Sequence, residues 1–261
     1  MGRTWRIYRA FFQSSLAREL EFRANFFAKI AQSAVWVTFF ILILLVIFSR
    51  TKEVAGWSRG DAFVLAATCF MMNALSSAFF MALMEVPQMV RQGTLDFVLT
   101  KPVDSQFWVS LRRFNFDQIG MFLVGVGMVV LGISQAGLHP TPLQWFGYLS
   151  LILSSLAIFY AFNMCMMTLG IWWVRVDNLW VLGESVMQVA RFPIDIFGPQ
   201  IARVLTYVVP LAFLATVPAR QLVHGFDGGA VLLGAGWAGV ALLACTLFWR
   251  FALRSYASAS S

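Results

Sequence analysis

Few residues in this chain stand where they can do chemistry. Glu184 is the one carboxylate placed well inside an apolar block, and Gln188 follows it one helical turn later. Asn73, Ser76 and Ser77 share one face of another block by i, i+3, i+4 spacing, and Asn163 and Thr168 interrupt a third. Polar groups in such blocks are costly where water is absent, so they mark either a polar path or hydrogen bonds between helices. His139 and His224 lie in loops without a partner at metal-ligand spacing, which argues against a zinc site or a general base. Cys69, Cys165 and Cys245 are each embedded in apolar sequence and read as small packing residues.

Nucleotide chemistry is absent. A phosphate-binding loop ends in Gly-Lys-Ser/Thr, whose Lys reaches the phosphates. Lys29, Lys52 and Lys101 follow Ala28, Thr51 and Thr100, so none belongs to such a loop. A Gly-x-Gly-x-x-Gly does occur at Gly234, Gly236 and Gly239, but inside the last apolar block and after no strand. Small residues let helices approach closely in lipid, and the same reading suits Gly125, Gly127 and Gly132. There is no His-Glu-x-x-His. The chain is expected to bind no metal or cofactor itself and to be no enzyme on its own.

The elements that carry these residues are membrane spans. Of 261 residues, 60% are hydrophobic and 12% charged, and the mean hydropathy is +0.76. Continuous apolar runs long enough for a bilayer core favour helices over a barrel. The formal charge of +7 reflects topology rather than nucleic acid, because the cations cluster between blocks. The expected fold is an all-α integral membrane protein of six transmembrane helices, at about residues 26–48, 62–84, 118–138, 145–171, 179–197 and 229–251. Residues 1–25 carry Trp5, Tyr8, Phe12 and Leu16 at helical spacing and form an amphipathic interfacial helix. Five Arg precede the first long apolar run, which does not fit a cleavable signal peptide. Pro199, Pro210 and Pro218 break the 199–223 stretch, which is read as a re-entrant hairpin before the last span. With both termini cytoplasmic, about two thirds of the 19 Lys and Arg residues lie inside, as the positive-inside rule requires. Residues 252–261 then form a cytoplasmic tail.

The longest polar stretch, 85–117, is the most informative. Pro87 ends the second span, Gly93 permits a sharp turn, and Thr94 is placed to cap a short helix over about 95–100, ahead of Pro102. Such a helix, apolar through Leu95, Val98 and Leu99, is suited to a partner's groove. This segment resembles the coupling-helix region of type-2 ABC exporter permeases, on Gly93, Leu95, Asp96, Leu99, Pro102 and Val103. The stretch Phe22–Phe26, the run Arg191-Phe192-Pro193 and the segment Val209–Phe213 followed by Pro218-Ala219 resemble the same family. The resemblance implies a transport subunit that exports a substrate while a separate ATP-binding subunit holds ATP and Mg. It implies docking of that subunit on Gly93, Leu95, Asp96, Leu99, Lys101 and Pro102. It further implies a dimer, with a second copy or a related permease, in a bacterial inner membrane. Asn73, Ser77, Glu184 and Gln188 are the candidate path residues. The alternatives are an ATP-independent transporter or channel, or a membrane protein acting on lipids. The substrate is not legible.

Overall fold

The computed structural model describes residues 2–21, 23–173, 181, 185, 188–207 and 210–256. Glu184 and the 257–261 tail lie outside the described residues.

Helix α1 spans Gly2–Glu21 and α2 spans Arg23–Arg50. A small antiparallel hairpin follows, β1 (Glu53–Val54) and β2 (Trp57–Ser58), turned by Ala55 and Gly56 at positive φ. The hairpin delivers Ser58 as N-cap of α3 (Arg59–Phe80), in a reciprocal box with Asp61 that satisfies two otherwise orphan N–H groups. A tight 3-10 turn, Met81–Glu85, leads into three short helices, α4 (Val86–Arg91), α5 (Asp96–Leu99) and α6 (Ser105–Leu111). Then α7 (Gln118–Gln135) crosses back. The His-Pro-Thr-Pro turn supplies Thr141 as N-cap and Pro142 as first residue of α8 (Pro142–Thr168). After a 3-10 turn at Ile194–Phe197 come α9 (Pro199–Tyr207), a 3-10 turn at Leu211–Leu214, α10 (Thr216–Val223) and α11 (Gly228–Ser255). Asp227 caps α11 through Ala230 N–H at 3.0 Å.

Five described helical stretches are long and apolar enough to cross a membrane: Phe26–Arg50, Arg59–Arg91, Gln118–Gln135, Pro142–Ile171 and Gly228–Ser255. Helix α3 is the centre of the bundle, buried without interruption from Gly60 to Met72. By contrast α2, α7 and α11 keep long rows of exposed Leu, Val, Phe and Trp, the outer surface of a protein solvated by lipid.

Glycine sets the closest helix approach. A Cβ on Gly132 would lie 2.9 Å from the Gly60 carbonyl oxygen, and one on Gly125 would lie 2.5 Å from Met71. Both belong to the α3–α7 contact. Gly127 has nothing within 4 Å, so the predicted small-residue face of α7 consists of Gly125 and Gly132. In α11 the same holds for Gly234, tight against Leu151 of α8, while Gly236 and Gly239 face open space.

The bundle has two distinct ends. At the near end, Lys29 of α2 pairs with Asp117 at 2.5 Å, ahead of α7. The close of α8 is there too, since a Cβ on Gly170 would meet Pro87 at 2.9 Å. Helix α1 and the later turns of α11 join them. Phe11 and Phe12 of α1 pack edge-on against Trp108 and Phe116, and Trp249 of α11 donates to Ser105. At the far end, Asp195 accepts from Trp57 Nε1 at 3.0 Å and pairs with Arg220 of α10. Gln221 ties to the Asp227 backbone, its carbonyl oxygen accepting from the Asp227 N–H at 2.9 Å. The two arms of the 199–223 stretch differ: α9 buries no residue, whereas α10 is buried over α3 and α8.

Candidate functional site

Residues 81–117 form a braced platform at the near end. Glu85 pairs with both Arg112 and Arg113, closing the ends of the segment on each other. Burial lowers the Arg112 pKa from its ordinary value, and Glu85 opposes that shift. Trp108 lies between two cations, Lys101 Nζ 4.2 Å and the Arg112 guanidinium 4.8 Å from its centroid. Tyr160 of α8 receives Gln106 Nε2 at 3.1 Å and shares a hydrogen bond with Ser110 at 2.9 Å. Asp104 caps α6 through Phe107 N–H at 2.8 Å. The platform is thereby fastened to the span α8, and through Trp249 to α11.

Gly93 has φ +68°, a value that lets the chain reverse after α4 without a Cβ penalty. Leu95 N–H then bonds back to Met89 C=O at 3.2 Å. The helix starts one residue later than the sequence implies, at Asp96 with Leu95 in the cap position. Thr94 does not cap it, because its hydroxyl donates backwards to Met89 C=O at 3.4 Å. Leu95 is 0% exposed and Val98 2%, packed with Leu83, Val86 and Val109. Phe97 is 70% exposed and Leu99 38%. Thr100, Lys101 and Pro102 are exposed after them. Among the predicted docking residues, Leu95 therefore anchors the helix and Leu99, Lys101 and Pro102 are presented outward. Asp96 is half-buried beside Tyr256, whose phenol is pushed up by burial and then by that carboxylate. A cleft of about 340 Å³ opens next to this face, between Glu85, Gln88, Gln92, Phe97, Lys101 and Trp108.

Phe97 is the residue that sequence reasoning missed. The signal was present: with the cap residue Leu95 and Val98, three apart, both turned inward, residue 97 must turn outward. The paired cations around Trp108 and the far-end Asp195–Arg220–Trp57 group carried no such signal, because their members are distant in sequence.

The candidate path residues are less gathered. Asn73 and Ser77 are half-buried on α3. Ser76 and Ser77 border a void of about 10 Å³ that reaches Asn163 of α8, at most the size of one water molecule. Asn163 donates to Phe159 C=O at 2.9 Å. Gln188 is exposed, and Glu184 lies outside the described residues. Among the described residues no group of three or more His, Cys, Asp and Glu is placed to hold a metal ion.

A family model described as ABC-2 family transporter protein matches residues 34–260. No curated protein matches the chain, and no solved structure does.

Proposed function

The chain belongs to the ABC-2 transporter family, and we propose on that premise that it is the permease subunit of an ATP-driven exporter. A separate ATP-binding subunit docks on the outward face of α5 and holds ATP and Mg. The observation that carries this reading is the exposed pair Phe97 and Leu99 on a helix whose other side is locked into the bundle. An isolated loop would absorb a push, whereas a helix fixed through Glu85, Tyr160 and Trp249 passes it to α3, α8 and α11. The near end is then cytoplasmic, with both termini.

Six crossings fit the ends of the described elements. The support for this is that Ile171 closes the near-end run of α8, whereas Asp195 is bonded to Trp57 at the far end. The exposed apolar sides of α2, α7 and α11 are shared between lipid and a second permease subunit. Substrate moves outward past Asn73, Ser77, Glu184 and Gln188, and the buried α10 caps the outer end. A bacterial inner membrane is the setting this reading expects.

The test is a pull-down from native membranes in mild detergent with ATPase activity assayed in the eluate. Wild type should bring down an ATPase subunit and Leu99→Asp should release it. Elution without any ATPase, while other membrane complexes stay intact, would remove the permease reading.

A further inference from the structure

Arg191 is set apart by its depth. In α2, Phe40 stands eleven residues after Lys29 and ten before Arg50. At 1.5 Å per residue it lies at the middle of about 31 Å of helix, the thickness of a bilayer's hydrocarbon core. The Phe40 ring meets Phe70 of α3 edge-on, with centroids 5.3 Å apart. Phe70 is itself eleven residues from Arg59, about 16 Å into the bundle from the far end. The Arg191 guanidinium lies 5.8 Å from the centroid of the Phe70 ring, with the Cys69 side chain as a hydrogen-bonding neighbour. Even allowing for the reach of these side chains, the cation is inside the apolar layer. The carboxylate–cation pairs described above, at Glu85, Asp117 and Asp195, are all at the two ends, and none includes Arg191.

The chain covers Arg191 only in part. A guanidinium half exposed at this depth does not face acyl chains. Such residues turn to a bundle interior or a water-filled path, where they mark substrate routes. Arginine keeps its charge at every working pH and offers a planar fork of donors matched to the oxygens of phosphate or carboxylate. Its aromatic surroundings favour an oxyanion that carries an apolar body over a free hydrated ion.

We propose that Arg191, inside the bundle beside Phe70, is the anion-binding residue of the translocation path. The substrate is an amphiphile with a phosphate or carboxylate headgroup. This assignment rests on the permease reading. It is tested with the reconstituted complex by following ATPase stimulation with dodecyl phosphate, dodecyltrimethylammonium and inorganic phosphate. Dodecyl phosphate should stimulate the wild type, and its half-stimulating concentration should rise about tenfold or more in R191Q, with partial recovery in R191K. Equal responses of wild type and R191Q to dodecyl phosphate overturn the proposal, as does stimulation by the cationic probe. Inorganic phosphate acting as well as dodecyl phosphate overturns the amphiphile assignment. Should R191Q not assemble, the exchange E184R with R191E decides. Restored assembly in the double variant makes Arg191 half of a structural ion pair and overturns the proposal. No restoration, with R191K still responding to dodecyl phosphate, upholds it. If no ATPase subunit exists to reconstitute, the permease reading fails separately. The anion site is then read on the purified chain, where dodecyl phosphate should raise Tm in wild type and leave R191Q unchanged.

Discussion

Truncating Phe97 and truncating Leu95 should have opposite consequences, although Phe97 lies on a four-residue helix that Leu95 begins as its cap residue. Phe97 is 70% exposed. Full burial of a large apolar side chain is worth about 1.5–3 kcal/mol, so docking that covers Phe97 contributes about 1–2 kcal/mol. Phe97→Ala should therefore weaken association with the ATP-binding subunit by about 5–30-fold. It removes nothing from the folded permease, so Tm should stay within the small range typical of surface changes. Leu95 is 0% exposed and surrounded by Leu83, Val86, Val98 and Val109. Leu95→Ala leaves a cavity and should cost about 2–5 kcal/mol of local or global stability. The assay is a titration of detergent-solubilised permease with purified ATPase subunit, read by fluorescence anisotropy, beside thermal unfolding of each variant. The reasoning is refuted if Phe97→Ala binds like wild type, because the outward face of α5 then contacts no partner. It is also refuted if Leu95→Ala unfolds like wild type, because the helix is then not anchored as described.

Three further outcomes follow from the packing and the charges. Gly132→Ala should lower stability by about 1–3 kcal/mol, since its Cβ meets the Gly60 carbonyl oxygen at 2.9 Å, whereas Gly127→Ala, with nothing within 4 Å, should raise it by about 0.5–1 kcal/mol. Thermal melts of the two variants in one detergent compare them directly, and equal shifts would contradict the α3–α7 contact. In the Lys29–Asp117 pair the exposures are 44% and 3%. Lys29→Ala strands a buried carboxylate and should lower Tm more than Asp117→Asn, which leaves a cation able to reach water. Burial pushes the Asp195 carboxyl up, but hydrogen bonds from Arg220 and Trp57 outweigh it and hold the pKa below its ordinary value. A depressed carboxyl adds stability above its unfolded pKa of about 3.9, and that contribution is lost as pH falls through the folded value. Melting curves of wild type and Asp195→Asn should therefore converge as pH drops from about 5 to about 3, and parallel curves would contradict the far-end network.

The helical membrane character was legible because the physical constraint is severe: apolar runs of span length leave the backbone no other partner for its hydrogen bonds. Local punctuation was legible for the same kind of reason. Pro140 and Pro142 announce a turn and a helix start, and Thr141 with Gln144 closes the capping box at that place. The 51–58 connection was less so. Its residues read as a charged loop, yet the chain makes a two-residue turn at Ala55 and Gly56 that pairs Val54 with Trp57. Nothing in Ala-Gly marks that turn as strongly as Asn-Gly would. The small-residue faces were legible only as composition. Which glycine touches a neighbour depends on helix rotation, so Gly125 and Gly132 serve the α3–α7 contact and Gly127 between them does not.

The site divides along the same line between local and distant information. That residues 93–102 hold a tight reversal and a short helix follows from Gly93 and Pro102 alone. Which side of the helix faces out depends on what lies above it, namely Leu83, Val86 and Val109, and their position is set by Glu85 pairing with Arg112 and Arg113 across more than twenty residues of chain. Arg191 shows the limit most plainly. By sequence it stands near Pro193 at the close of a broken apolar block, where it counts among the cations of the outer side. Only the contact chain from Arg191 to Phe70 to Phe40 brings it into the bundle, and that placement is what changes its chemistry. At the surface an arginine is hydrated and costs nothing to leave alone. At mid-membrane it must have a polar neighbour at all times, so a path that carries an anion past it serves the protein's stability and its transport with the same charge.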